Sequence, residues 1–395
     1  MTEWKTVKLG DICNISTGKR PLHKETHISQ ECPIPVYGGN GISWFTKETL
    51  LDKPIILTGR VGTIGTLYRV KSPCWVSDNA LIISPKRTDF DFVFYILKLS
   101  NFTALNRGST QPLITQTDVK NLEISLPPLD VQKRIAGILG ALDDQIDVLR
   151  RENVILEQMA QAVFQSWFVD FDIVRAKAAG TPEPEVCEKY HVTPELYALF
   201  PSTLTPDGLP HGWEKKKLGD EFKIVMGQSP AGDTYNENGE GIPFFQGRRD
   251  FGFRYPTNRV YCTAPTRFAE KGDVLVSVRA PVGDLNIATE KCCIGRGVAS
   301  VRHFSNSAAY AFCQLKTLSD QFDVFNGDGT VFGCIGKDAF LALPFVSAPQ
   351  EVLEKTLPYL DSFENKTFAN TEQIRVLSAT RDALLPKLMN GEIEV

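Results

Sequence analysis

Residues 4–21 read WKTVKLGDICNISTGKRP and residues 213–230 read WEKKKLGDEFKIVMGQSP, so Trp, Lys-Leu-Gly-Asp, Gly and Pro recur at the same offsets. The echo continues in order. Ile34-Pro35 answers Ile242-Pro243, Arg60 with Val61-Gly62 answers Arg279 with Val282-Gly283, and Gly108-Ser109-Thr110 answers Gly327-Asp328-Gly329. Each half then closes on a Pro followed by a long heptad-patterned segment. Two copies of one module in a chain suit a partner of two-fold character, and duplex DNA is the leading candidate.

The 395 residues, 42% hydrophobic, leave room for two to three domains, each with its own core. The start MTEWKTVKLG has no apolar h-region, and no uncharged apolar run is long enough to cross a bilayer. A cytoplasmic protein without a membrane partner is expected. Nine scattered cysteines, with no Cys-x-x-Cys pair, read as reduced and mostly buried thiols rather than as bridges or a zinc site. A net charge of −4 is misleading when taken whole. Residues 1–130 hold 15 Lys and Arg against 12 Asp and Glu, and residues 212–349 hold 16 against 15. The acid excess lies in 179–211 (1 against 5) and 350–395 (5 against 8), outside the repeats, so local basic clusters remain available for phosphates.

Between the repeats Ile135, Leu139, Leu142, Ile146, Leu149, Asn153, Leu156, Ala160, Val163 and Trp167 alternate steps of four and three. That is one uninterrupted heptad seam. Pro127-Pro128 stops the preceding strand and Asp130 is a plausible N-cap, so a helix to about Phe168 is predicted, roughly 38 residues and about 57 Å long. After the second repeat Phe363, Thr367, Asn370, Ile374, Leu377, Arg381, Leu384 and Leu388 keep the same alternation. The two segments read as partners in a coiled coil, with Asn153 and Asn370 fixing register; two ordinary core helices are the simpler alternative. Pro358 and Pro386 should strain the second helix near its ends, and Gly391 should stop it. The connection from 173 to 212, with Gly180-Thr181-Pro182 and Pro206-Asp207-Gly208, reads as a linker long enough to return the chain and make the pair antiparallel, placing the repeats at opposite ends of a spacer.

Trp-x-x-x-Lys-Leu-Gly-Asp, IPVYGGNGI at 34–42, SDNALIISP at 77–85, LPPLDVQKRIAGILGALDDQI at 126–146, FQSWFVDFD at 164–172, HGW at 211–213 and RDALLPKLMNGEIEV at the end together resemble the specificity subunit of type I restriction-modification enzymes. The resemblance spans essentially the whole chain. It implies a mixed α/β (α+β) chain with two globular target recognition domains separated by two long antiparallel helices. In those terms residues 1–128 are recognition domain 1, 129–172 spacer helix 1, 173–212 a linker, 213–348 recognition domain 2, 349–390 spacer helix 2 and 391–395 a tail. Each recognition domain would read one half of a bipartite, asymmetric site in double-stranded DNA, and the helices would set the gap. Two adenine-N6 methyltransferase subunits would dock on the helices, with Phe164, Trp167, Phe168 and Phe171 as an outward docking surface. Motor-nuclease subunits would complete the assembly. S-adenosylmethionine, ATP and Mg would then belong to those partners, with no cofactor on this chain.

What the chain lacks agrees with a non-catalytic role. The one Pro-Pro is in Leu-Pro-Pro-Leu at 126–129, not in the (Asn/Asp)-Pro-Pro-aromatic loop that holds a target amine, and there is no Walker loop or His-x-Glu zinc signature. Residues 59–65, GRVGTIG, look superficially like a phosphate loop. They lack the Lys-Ser/Thr ending and read better as a strand running into a turn.

Base edges are read by Arg, Lys, Asn and Gln, and phosphates also by Ser, Thr and backbone amides. Those types stand in turn-like contexts at Lys19, Arg20, Asn40, Arg60, Arg107, Ser109, Thr110 and Gln111, and at Gln228, Ser229, Gln246, Arg248, Arg249, Arg279, Arg296 and Thr330. Any one of them alone reads better as a solvated loop residue than as a base reader. Arg60 and Arg279, present in both halves, suit a shared scaffold or phosphate role. Gln246, Arg248 and Arg249 in one half, and Lys19, Arg20 and Gln111 in the other, suit base reading. A protein scaffold that binds no nucleic acid is the alternative, because heptad stripes alone fit it equally well; a specificity role beside a fused enzyme or methylation-only partner is a third reading.

Overall fold

The computed structural model describes residues 4–108, 111–326 and 333–395. It divides into two compact units, residues 1–149 with 373–395, and residues 150–372.

In the first unit a four-stranded antiparallel sheet has the order Cys13–Thr17, Ala80–Pro85, Ile55–Gly59, Leu67–Val70. Ile55, Ile56, Leu57 and Thr58 are all buried, as a central strand covered on both faces requires. A second sheet sets Ile34–Gly38 between Gly41–Thr46 and Trp75–Val76. The helix Phe90–Leu99, capped by the Asp89 carboxylate on the Phe92 amide, lays its apolar residues against the first sheet's core.

The second unit repeats the plan. Phe222–Met226, Val298–His303, Val274–Ser277 and Leu285–Ile287 form the four-stranded sheet, and Ser307 caps the helix Ala308–Lys316 as Asp89 does its counterpart. In both units a Lys-rich strand next to the Trp (Lys5–Lys8, Glu214–Lys217) pairs antiparallel with the strand that precedes the long helix (Glu123–Leu126, Pro344–Ser347).

The two long helices are Leu129–Phe164 and Gln350–Met389, and each gives one part to each unit. Within the first unit Ile135 and Leu139 share a core with Leu385 and Leu388, and Asp143 pairs with Arg381. Within the second, Asn153 meets Asn370 and Trp167 stacks on Tyr359. In each unit the partner number falls as the other rises, so the helix segments run antiparallel. The heptad positions are the buried ones: Ile135, Leu139, Ile146, Leu149, Asn153, Ala160 and Trp167 are covered, as are Phe363, Thr367, Asn370 and Leu388.

Several expectations need correction. Asp130 lies inside the first helical turn rather than at the cap, because the helix begins at Leu129. The α-helix ends at Phe164 and passes into a π turn, Gln165–Val169, before Phe171 reverses the chain in the left-handed region (φ 58°). Pro358 and Pro386 sit inside a continuous helix, and Gly391 (φ +72°) terminates it, with the Glu392 amide bonding back to Lys387. The stretch 173–212 is not a loose linker. It folds into Asp172–Ala178, Glu183–Tyr190 and Pro194–Leu199, whose Ile173, Val174, Val186 and Leu196 are buried in the second unit's core. Nor do residues 391–395 trail free, since Ile393 and Val395 pack on the first unit's core. All nine cysteines are free; seven are buried, Cys187 is half-buried and Cys334 exposed. None of the helices among the described residues is long and apolar enough to cross a membrane.

Candidate nucleic-acid interface

In the first unit the loop through residues 76–80 is a hub. The Gly18 amide donates to the Ala80 carbonyl (3.3 Å) and the Lys19 amide to Val76 (2.8 Å). Ser77 donates to Tyr37 (2.9 Å), Arg60 to Asn79 (2.9 Å) and Ile114 to Arg60 (2.9 Å). Four stretches far apart in sequence are thereby pinned side by side, bringing together Lys19, Arg20, Asn40, Arg60 and Gln111. A Cβ on Gly18 would overlap the carbonyl oxygens of Val76 and Ser77, which is why the motif needs glycine there.

The second unit builds the same cradle bond for bond. Gly227 donates to Val298 (3.0 Å), Gln228 to Ile294 (3.0 Å), Gly295 to Phe245 (2.9 Å), Val278 to Gly297 (3.0 Å) and Ile335 to Val278 (3.1 Å). A Cβ on Gly227 would likewise overlap the carbonyls of Gly295 and Val298.

These bonds fix which residues correspond. Lys19 matches Gln228, Arg20 matches Ser229, Asn40 matches Arg248, and Asp78 matches Arg296. Arg60 matches Val278, not Arg279. Arg279 instead bridges Cys334 where Val61 bridges Leu113, so the two arginines occupy adjacent, non-equivalent positions. The strand pairs Thr58 with Leu67 and Val276 with Leu285 keep the same spacing, so no residue is inserted, and Gly62 matches Ala280 while Val282-Gly283 is not the equivalent of Val61-Gly62.

Side chains differ between the cradles. In the first, Lys19, Asn40 and Gln111 are exposed and Arg60 is half-buried. The Arg20 guanidinium, 84% exposed, is tethered through Nε to Asp78 Oδ2 at 3.0 Å. Arg107 is held in an ion pair by buried Asp118. Burial opposes ionisation of that carboxyl, but hydrogen bonds from Thr115 and the Arg107 charge hold it below the usual range. Asn106 organises the loop by accepting the amides of Gly108 and Leu113 at 2.9 Å each. Ser109, Thr110 and Thr330, with residues 327–329, lie outside the described residues.

In the second cradle Gln246, Ser229 and Arg296 come together: the Gln246 amide lies 2.9–3.0 Å from Ser229 Oγ, which also accepts from Arg296 Nε at 3.4 Å. Gln228, Arg249 and Arg279 are exposed. Arg248 is paired with Asp284, which restrains it at the rim. Reading by residue type overlooked Asp78, Asn79, Asn106 and Asp284. Acidic and amide groups that aim an arginine or tie a loop are visible only when the distant partner is known, although SDNA at 77–80 was already in view.

The aromatic run does not face outward. Phe164, Trp167, Phe168 and Phe171 are 1%, 1%, 3% and 6% exposed. Trp167 packs against Phe200 and Tyr359, and Phe168 and Phe171 against Trp213, so the run closes the second unit's core. The same helix does leave apolar side chains open, at Leu129, Ile138, Val148 and Val154 and at Ile155 (54%) and Met159 (47%), the last two one turn apart on one face. Among the described residues no group of three or more His, Cys, Asp or Glu side chains could hold a metal ion.

Residues 1–158 and 210–376 match the family model described as "Type I restriction modification DNA specificity domain". The putative type I restriction enzyme MjaX specificity subunit of Methanocaldococcus jannaschii is 30% identical over 331 residues, 80% of this chain and 72% of that protein. The HindI specificity subunit of Haemophilus influenzae is 27% identical, with 100% of each chain covered. Among solved structures, the type I restriction-modification S subunit from M. genitalium shares the fold with a TM-score of 0.62 at 18% identity, covering 98% of this chain and 96% of that one.

Proposed function

The chain belongs to the type I restriction-modification DNA specificity family, and from that premise we propose how it serves as the non-catalytic DNA-recognition subunit of such a system. Each unit presents its cradle to one half of a bipartite, asymmetric site. Backbone amides, Lys19 and Arg279 meet phosphates, and the exposed side chains that differ between the cradles discriminate bases. The antiparallel helices fix the gap between half-sites and dock two adenine-N6 methyltransferase subunits. S-adenosylmethionine is bound by those subunits, and ATP and Mg by motor-nuclease subunits of the full complex.

One observation carries this reading: two cradles with the same backbone bonds and unlike side chains. A scaffold binding one protein twice would keep the side chains alike. Reading two different half-sites requires them to differ.

The test is single-molecule methylation sequencing of DNA from cells expressing this chain with a type I methyltransferase subunit. A bipartite motif carrying N6-methyladenine in each half is expected. No chain-dependent methylation, with the methyltransferase shown active beside another specificity subunit, would overturn the reading.

A further inference from the structure

Arg20 and Asp78 occupy the positions that Ser229 and Arg296 occupy in the other unit, and in both the pair is in contact: 3.0 Å from Arg20 Nε to Asp78 Oδ2, and 3.4 Å from Arg296 Nε to Ser229 Oγ. The arginine has changed sides of the pair. In each case Nε is the tethered atom. The two Nη groups make no hydrogen bond or ion pair with the described residues, so an aimed guanidinium fork is presented from an exposed rim. Arginines that pair through their Nη atoms, as Arg107 does with Asp118, have that fork already occupied.

Resting on the function proposed above, we propose that this position pair is the base-discriminating element of each unit, with Arg20 and Arg296 each reading a guanine. A fork with two free N–H donors matches the O6 and N7 acceptors that guanine alone offers in the major groove. The tether removes side-chain freedom before binding, which favours a directional contact over a loose phosphate contact. The change of sides moves the fork from the 18–20 stretch to the hub loop. The guanine read by the second unit therefore falls at a different place in its half-site.

Arg20→Ala, Arg20→Lys and Arg296→Ala are made separately in the full chain, co-expressed with the methyltransferase subunit, and methylated sites are read by single-molecule sequencing. Both arginines are exposed, so thermal unfolding should match the wild type. R20A should relax one guanine position in one half-site by roughly ten- to a hundredfold in discrimination, leaving the other half intact, and R296A should do the same in the other half. R20K keeps the charge without the fork and should also relax that position. The exchange R20S/D78R should move the guanine requirement rather than abolish it. Uniformly weaker methylation at an unchanged motif, or full discrimination in R20K, would mean a phosphate contact and overturn the proposal. A wild-type chain that directs no methylation would remove the functional reading itself, and this proposal with it.

Discussion

Asn370 donates from Nδ2 to Asn153 Oδ1 at 2.9 Å, with both residues buried in the seam between the long helices (1% and 4% exposed). The bond is not isolated: the same Nδ2 reaches Glu152 at 3.0 Å, and Asn153 Nδ2 donates to Thr371 at 3.2 Å. Only one register satisfies all three. Asn370→Leu alone strands the Asn153 carbonyl and should cost about 1–3 kcal/mol in denaturant unfolding. Replacing both by Leu removes the polar demand and should raise the melting temperature, while size exclusion detects additional assembly states because register is no longer enforced. A double variant that stays a single species with native mobility would show that the amides do not specify register.

Glu221 gives the second unit a pH dependence. Burial opposes its ionisation, but the His303 ring 3.6 Å away and hydrogen bonds from Lys216 and Ser347, each 2.7 Å, outweigh that and lower its pKa from 4.5 to about 2. A depressed carboxylate stabilises the fold fully above its unfolded value and loses that contribution as pH falls through the folded one. Stability should therefore decline between about pH 4.5 and pH 2, by on the order of 3 kcal/mol from this group. Glu221→Gln should be less stable at neutral pH and flatter across that window. Equal acid slopes in the variant and wild type would assign the decline to other groups.

In the first unit Asp143 accepts from Tyr95 Oη (2.7 Å), Arg381 Nη1 (2.8 Å) and Arg69 Nη2 (3.2 Å). The arginine at a seam position is thus explained, since it faces a carboxylate supplied by the other helix segment. Asp143→Ala takes the shared carboxylate away from both arginines, leaving Arg69 with Asp91 and Arg381 with Asp382, and strands the buried Tyr95 hydroxyl, so it should destabilise the first unit by about 1–3 kcal/mol. Hydrogen exchange on residues of the helix Phe90–Leu99 should report the loss. Unchanged protection there would show that Asp91 and Asp382 suffice to hold the two arginines.

The heptad stripes and the repeat were legible in sequence because each is a periodic signal that survives substitution: every seam step of four and three lands on a covered or half-covered side chain. The helices between 172 and 199 were not. They are six to eight residues long, too short for periodicity to show, and Gly180 and Pro182 advertise breaks that here merely separate packed helices. The cradle was half legible. Arg20, Gln246 and Arg296 stand out by type, whereas the match of Arg60 to Val278 is hidden because Arg and Val-Gly recur nearby at positions that are not equivalent.

Trp167 and Ile155 separate folding from assembly. Trp167 is 1% exposed, stacked on Tyr359 and donating from Nε1 to the Tyr190 carbonyl at 3.2 Å, so Trp167→Ala should cost about 3–5 kcal/mol by leaving a cavity at the heart of the second unit. Ile155 and Met159 have no such role, being 54% and 47% open to solvent on one helix face. Ile155→Asp with Met159→Asp should change stability by less than about 1 kcal/mol in total. If this face receives a methyltransferase subunit, the double variant should nonetheless lose co-purification with it and lose methylation in cells, because a charge must be desolvated at the interface. Intact co-purification of the double variant would move the docking surface to another face. Loss of its thermal stability instead would show that Ile155 and Met159 belong to the fold.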